Sequence, residues 1–281
     1  MSLLAQAPTG GGRIRAVGDW FLVPRPQSGS GFRLFCFPHA GGDATAYIPL
    51  ATALDPVAEV WALRMPARGG RRRHPMPAQF RRLVDDVVEA LTPHLGVPFG
   101  FYGQSFGALL AYEVAQALPV RCRPRLLVTA SAQPPSAWEG GAPAELLAED
   151  LLRLAGMGHL IGTDAELRRL ALETIRTDLA VRATYRYRPA APLSTALHAV
   201  VGRDDPMLDA PAIAGWEDHV RGPFGLTVVP GGHLLAGVDA PGPAGLLSSL
   251  ITGRSEAGGP PARPLTPATA EEDPCSPLRS I

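Results

Sequence analysis

The pattern G-x-S-x-G at residues 103–107, with the sequence GQSFG, is the segment whose residue types and spacing most directly suggest chemistry. In a strand–turn–helix setting this pattern is a nucleophile elbow, a tight turn that exposes a serine hydroxyl at the end of a strand. An apolar strand-like run precedes it and a helical pattern follows it. We predict that Ser105 is the nucleophile and that Gly103, Gln104 and Gly107 form the elbow, where glycine leaves room for the turn. The alternative is a Gly-Ser turn without chemistry.

A serine hydroxyl is a weak nucleophile at neutral pH and needs a general base. His233 lies in the loop PGGH after the apolar run GLTVVP, and it follows Ser105 in the chain order serine, acid, histidine that this elbow type uses. An acid that orients the imidazole is expected in the loop after the run ALHAVVG, where Asp204 and Asp205 are adjacent. Asp205 is our prediction and Asp204 the alternative, since one of the two can cap the turn. For His233 the alternative is a solvent-exposed loop histidine.

Acyl transfer also needs two donors that hold the tetrahedral oxyanion. One is expected to be the backbone N–H of Phe106, the residue after the nucleophile, and the other should come from a loop after an earlier strand. The glycine-containing loop FPHAGG at residues 37–42 fits that position, and Ala40 is the predicted donor. His39 in the same loop precedes the serine, so chain order argues against it as the base.

Strand-like apolar runs alternate with helical patterns through most of the chain. Such alternation predicts an α/β fold, with a mostly parallel central sheet flanked by helices and ligands bound at the carboxyl ends of the strands. The predicted strands are 33–37, 58–63, 98–103, 126–131, 196–202 and 225–230, and the predicted helices include 79–93, 106–118 and 235–250.

The organisation along the chain divides into four parts. Residues 1–17 are Gly-rich and are predicted to be a flexible N-terminal arm, and residues 18–252 form the α/β domain. Residues 137–189 contain helical patterns but no strand candidate, which favours a helical lid over a pair of ordinary crossover helices. Residues 253–281 are crowded with Pro, Gly, Ser and Thr, and we predict a disordered tail.

Composition excludes several classes of protein. The chain has 281 residues, 26 basic and 26 acidic side chains and no formal net charge, so a general attraction to nucleic acid or membranes is not indicated. No apolar stretch approaches the ~18 residues of a membrane helix, and the N-terminus lacks a signal-peptide pattern. The three cysteines are not in C-x-x-C spacing, which argues against a zinc site, and we expect no metal. We expect a cytoplasmic monomer.

Four motifs together resemble one family, the type II thioesterases of the α/β-hydrolase superfamily, which are editing hydrolases of polyketide and nonribosomal peptide synthesis. The motifs are FPHAGG at 37–42, GQSFGA at 103–108, GRDDP at 202–206 and PGGHL at 230–234, within a resemblance that covers about residues 18–250.

The resemblance implies hydrolysis of acyl groups from the phosphopantetheine arm of an acyl or peptidyl carrier protein, without a cofactor. The segment PAR at 66–68, followed by Arg72, is similar to the family's P-G-R segment, but Ala67 stands where the family has glycine.

Arg64, Arg68 and Arg72 lie in a basic run that we interpret either as a docking surface for an acidic carrier protein or as a solvated loop. Tyr185 is expected to edge the acyl pocket or to anchor the end of the lid. The competing enzyme function is a carboxylesterase or lipase acting on small oxygen esters. A non-catalytic binding protein is disfavoured because the serine, histidine and aspartate are all present. Acyl transfer to a nucleophile other than water stays open.

Overall fold

The computed structural model describes residues 14–27, 29–138, 144–154, 164–236 and 243–253, and its centre is an eight-stranded sheet with the order β1-β2-β4-β3-β5-β6-β7-β8. The strands are β1 (Arg15–Val17), β2 (Phe21–Val23), β3 (Arg33–Phe37), β4 (Glu59–Leu63), β5 (Phe99–Gln104), β6 (Leu126–Ala130), β7 (Ala196–Gly202) and β8 (Phe224–Val229). Strands β3 to β8 are parallel, and β1 and β2 are joined to β4 by antiparallel pairing. The predicted α/β fold with a mostly parallel sheet is confirmed.

Helices cover both faces of this sheet. The described α-helices are α1 (Ile48–Ala53), α2 (Phe80–Leu91), α3 (Phe106–Ala117), α4 (Ala144–Leu154), α5 (Ala165–Ala183), α6 (Ala210–Ala214) and α7 (Ala244–Thr252). Helix α2 buries one apolar stripe, whereas α3 is buried around most of its circumference. An apolar surface on all sides is typical of a helix packed between a sheet and other helices.

Alternate side chains of β3 show why the sheet needs cover on both faces. Phe35 and Phe37 join the cluster that α2, α3 and the inserted helices bury, while Leu34 and Cys36 join the cluster that packs on α1 and α7. Because successive side chains of a strand point to opposite faces, a parallel strand of this kind is a continuous apolar run. This explains why RLFCF was readable as a strand from sequence.

Two terminal predictions need correction. Arg15–Val17 form strand β1, paired antiparallel with β2, so the predicted flexible arm does not extend over them. Each of these strands has only three residues, too few for a periodic pattern. The final helix begins at Ala244 instead of residue 235. Residues 1–13 and 254–281, which include most of the predicted arm and tail, lie outside the described residues.

Helices α4 and α5 lie between β6 and β7 in the chain, where the lid was predicted. None of the described helices combines the length and the apolar character needed to cross a membrane.

Candidate active site

Ser105 occupies a strained turn between β5 and α3, with φ 53° and ψ −120°. A Cβ on Gly107 would lie 2.5 Å from the Pro38 carbonyl oxygen and closer still to that of Phe37, and a Cβ on Gly103 would collide with the backbone of α3. Only glycine allows these backbones to approach so closely. The Ser105 N–H donates to the Ala130 carbonyl at 2.8 Å, which ties the turn to the end of β6.

His233 joins Ser105 to Asp205. Its Nε2 lies 3.1 Å from the Ser105 Oγ, and its Nδ1 lies 2.9 Å and 3.1 Å from the two carboxylate oxygens of Asp205. The side chains of His233 and Asp205 are 2% and 0% exposed. Asp204 is exposed, and its backbone N–H donates to the Gly231 carbonyl at 2.9 Å. Asp205, and not Asp204, is therefore the carboxylate within hydrogen-bond distance of the His233 imidazole.

The surroundings of Asp205 favour its ionised form. Burial raises the pKa of this carboxyl, but the hydrogen bond and charge of His233, the Met207 N–H at 2.9 Å and the nearby Ser131 hydroxyl together lower the pKa below its ordinary value. An ionised carboxylate accepts the Nδ1–H of the imidazole and leaves Nε2 free to take a proton from Ser105.

The loop that carries His233 is fixed by the elbow itself. The buried side chain of Gln104 donates from Nε2 to the His233 carbonyl at 3.0 Å and accepts the Ala236 N–H at 3.1 Å. A Cβ on Gly202 would collide with the Gly232 carbonyl, so the loops after β7 and β8 pack directly on each other. From sequence, Gln104 was predicted only as part of the elbow. The structure adds its two hydrogen bonds to the loop that carries His233.

Comparison with known proteins identifies the family. The sequence family described as "Thioesterase domain" matches residues 32–241. This chain belongs to the thioesterase family. A probable cadicidin biosynthesis thioesterase of Streptomyces griseus is 34% identical to this thioesterase over 219 residues, which are 76% of the chain and 61% of that relative. The chain thus matches less than two thirds of the length of that relative.

Two further proteins are similar over most of their length. Thioesterase PikA5 of Streptomyces venezuelae is 34% identical over 227 residues, 77% of this chain and 79% of that protein. The solved structure of the type II thioesterase BorB from the borrelidin biosynthetic cluster is 33% identical, has a TM-score of 0.67 and covers 78% of this chain and 90% of its own. The resemblance to type II thioesterases predicted from the motifs is confirmed.

The predicted oxyanion donors face the same cavity as Ser105. Residues 39–42 form a tight turn, closed by the Gly42 N–H on the His39 carbonyl at 2.9 Å, with Gly41 at φ 81°. A positive φ at the third position of such a turn favours glycine. Ala40 in this turn and Phe106 at the first position of α3 both line the cavity, beside the nucleophile and the positive end of the helix dipole.

A buried ion pair holds the turn at residues 39–42 against helix α5. Asp178 of α5 is fully buried; its Oδ2 accepts the Gly41 N–H at 2.7 Å and its Oδ1 pairs with Arg68. Arg68 also donates to the Gly42 carbonyl at 2.9 Å. With only 7% of its surface exposed, Arg68 is not available to a docking carrier protein, and that interpretation is wrong for this residue.

The other predicted partner residues also lie away from the cavity. Tyr185 is buried, packs on Phe80 at 5.2 Å between ring centroids and donates to Glu113 Oε1 at 2.8 Å, so it fixes the segment that follows α5. The Arg64 guanidinium lies over Gly70, and Arg72 is exposed on the surface. Carrier docking by Arg64 and Arg72 stays a prediction.

The cavity has a volume of about 120 Å³ and an apolar wall built partly by α4 and α5. Its lining residues are Ala40, Ser105, Phe106, Ser131, Ala132, Gln133, Trp138, Leu147, Leu151, Leu179, Arg182, Met207, Leu208 and His233. Ser131 and Arg182 are two polar lining residues that were not predicted from sequence. Ser131 directly follows β6, so the rule that ligands bind at the carboxyl ends of strands could have predicted it. Arg182 lies on a helix, where no sequence motif marks it as a site residue.

Proposed function

We propose that this chain is a serine thioesterase that hydrolyses acyl groups from the phosphopantetheine arm of acyl or peptidyl carrier proteins in polyketide or nonribosomal peptide biosynthesis. The observation that carries the proposal is the position of His233, within hydrogen-bond reach of both Ser105 and Asp205. The similarity to BorB and PikA5 supports the thioester substrate, since the arrangement of three side chains would serve an ester equally well.

Acylation is the first half of the proposed reaction. The Ser105 Oγ attacks the thioester carbonyl carbon while His233 Nε2 takes the hydroxyl proton, and Asp205 stabilises the imidazolium. The N–H groups of Ala40 and Phe106 hold the oxyanion. The C–S bond then breaks, His233 returns the proton to the leaving sulfur, and the carrier's thiol departs, leaving an acyl ester on Ser105.

Deacylation repeats the proton transfers with water as the nucleophile. His233 takes a proton from water as the water oxygen attacks the acyl carbon, and the same two N–H groups hold the second oxyanion. The bond between the acyl carbon and the Ser105 oxygen breaks, the serine regains its proton from His233, and the free acid is released. In both halves of the cycle His233 is the group of this chain that takes up the proton and then gives it back.

The test is hydrolysis of a panel of acyl carrier proteins, acyl small thiols and matched oxygen esters by the wild type and by Ser105→Ala. We expect carrier thioesters to be the best substrates and the variant to lose at least about 10⁴-fold in kcat. Ser248→Ala, a serine on α7 away from the cavity, is the matched control and should keep wild-type rates.

Each outcome of this panel has a definite meaning. Equal activity of the wild type and Ser105→Ala would remove Ser105 as the nucleophile. Hydrolysis of oxygen esters but not of carrier thioesters would favour the carboxylesterase function. The pair Asp205→Asn and Asp204→Asn, run on the same panel, separates the two acids, because only loss of the carboxylate that orients His233 should lower kcat by orders of magnitude.

A further inference from the structure

Arg182 places a guanidinium group in the wall of the acyl cavity. It projects from the C-terminal part of α5 and lines the same cavity as Ser105 and His233, beside Leu179 of the same helix. Its guanidinium carbon lies 5.6 Å from the ring centroid of Trp138. A permanently charged group in a wall otherwise made largely of apolar side chains needs a physical explanation.

The Nε–H of this arginine has no hydrogen-bond acceptor within the described part of the chain. Its Nε is buried without a partner, as are the Nε atoms of Arg33, Arg71 and Arg123. Each of those three donates through another guanidinium nitrogen, to the His94 carbonyl, the Arg64 carbonyl at 3.1 Å and Gln116 Oε1 at 3.3 Å respectively. Among the described residues Arg182 alone of the four has neither a hydrogen bond nor an ion pair.

The carboxylate one turn earlier on α5 is already engaged. Asp178 directs its two oxygens to Gly41 and Arg68. Partial burial lowers the pKa of Arg182, and among the described residues no charged group offsets that effect. Arginine does not lose its proton in proteins, so this half-buried cation keeps a solvent-shielded Nε–H without an acceptor, which is unfavourable until one arrives.

We propose that Arg182 is a specificity-determining residue that binds an oxygen acceptor, above all a carboxylate, on the acyl chain of the substrate. A guanidinium group matches a carboxylate with two parallel hydrogen bonds, which is why arginine is suited to this recognition. This thioesterase should then favour carboxylated or oxygenated acyl groups over hydrocarbon acyl groups of equal length. The inference rests on the proposed function, because it names the substrate class of that same site.

We assign the oxygen acceptor that Arg182 binds to the acyl chain and not to the phosphopantetheine arm. Arg182 lies in the wall with Leu147, Leu151 and Leu179 of the two inserted helices, and its Nε is shielded from solvent. The arm must run from the thioester back to a carrier protein outside the cavity, whereas the acyl group enters the apolar wall.

The experiment compares kcat/KM for malonyl and butyryl thioesters, which have nearly the same length and differ in the terminal carboxylate. The wild type should prefer malonyl, and Arg182→Met should lower the malonyl-to-butyryl ratio by about tenfold or more, the size expected for hydrogen bonds to a charged group. Arg176→Met, which removes an exposed arginine from the same helix, is the matched control and should keep the wild-type ratio. An unchanged ratio in Arg182→Met would overturn the proposal.

Two series of thiols identify the source of the oxygen. The ratio should fall equally in N-acetylcysteamine thioesters and in the longer phosphopantetheine thioesters. If Arg182→Met instead weakens only the phosphopantetheine series, and does so for malonyl and butyryl alike, the residue binds the arm and the acyl assignment is wrong.

A binding measurement separates failure of this inference from failure of the proposed function. Malonyl and butyryl amides, in which NH replaces the thioester sulfur, are titrated calorimetrically into wild type and Arg182→Met. Tighter malonyl binding that depends on Arg182 supports the inference even if no thioester is turned over, an outcome that would end only the proposed function. Equal binding of both amides by the wild type would overturn the inference even if thioesters are hydrolysed.

Discussion

Single residues in this thioesterase are fixed by contacts with backbone atoms as much as by chemistry. Ser105 keeps a positive φ because the elbow is braced on both sides, and Gly107 lies against the carbonyl groups of the oxyanion loop. Ala67 also has a positive φ, 63°, a backbone conformation that glycine adopts more readily than alanine. A side chain in this region costs roughly 1–2 kcal/mol.

Gly107→Ala is expected to be strongly destabilising, because its Cβ would overlap the carbonyls of Phe37 and Pro38. Overpacking of this kind costs about 1–3 kcal/mol, and the shifted loop should also lower kcat. Chemical denaturation measures the loss. Gly31→Ala is the matched control, since its Cβ would enter open space, and it should change stability by less than about 0.5 kcal/mol. Equal stability of the two variants would contradict this account of the elbow.

At the scale of elements, helix α5 connects the cavity to the turn at residues 39–42. Asp178 and Arg182 are four residues apart and therefore share a face of the helix. Asp178 holds the Gly41 N–H, while Leu179 and Arg182 line the cavity. A shift of this helix would thus be transmitted both to the acyl wall and to the predicted oxyanion donor.

Asp178→Asn should cost about 3–5 kcal/mol of stability, because it leaves the buried Arg68 without its charged partner. Replacing the pair by apolar residues, in Arg68→Met with Asp178→Leu, should recover most of that stability. The double variant should nevertheless keep a kcat lowered by up to about 100-fold, because the partners of Gly41 and Gly42 are gone. Wild-type kcat in a stable double variant would show that the pair has only a structural role.

At the scale of the whole molecule, the formal net charge is zero at pH 7. We therefore expect the pH dependence of stability near neutrality to come from individual buried groups whose pKa changes on folding. Burial, together with the charges of His233 and Arg68, lowers the pKa of His39 to about 4. The same residue titrates near ~6.5 in an unfolded chain. Between these values the unfolded state binds more protons than the folded state, so stability falls as the pH falls.

His39→Gln should therefore flatten the pH dependence of the unfolding free energy between about pH 6.5 and 4, by at most about 1.4 kcal/mol per pH unit. Above this window the two proteins should show the same dependence. Urea titrations at several pH values provide the measurement. A wild-type slope in His39→Gln would show that this histidine does not titrate as described.

The buried strands, the elbow and the order of the site residues were readable from sequence because each depends on a local pattern. Parallel strands are continuous apolar runs, and the elbow needs glycine at fixed offsets from Ser105. The three-residue strands β1 and β2 were not predicted, since their stability comes from pairing with β4 and not from their own residues.

The sequence by itself determined the six parallel strands of the sheet, the serine elbow and a choice between two adjacent aspartates. Only the tertiary structure distinguished Asp205 from Asp204. The loops after β7 and β8 pack against each other at Gly202, and this packing sets which carboxylate contacts His233. The tertiary structure also turned Arg68 from a surface candidate into the buried partner of Asp178, 110 residues away. Contacts between such distant residues depend on how whole elements pack, and no local pattern of side chains encodes them.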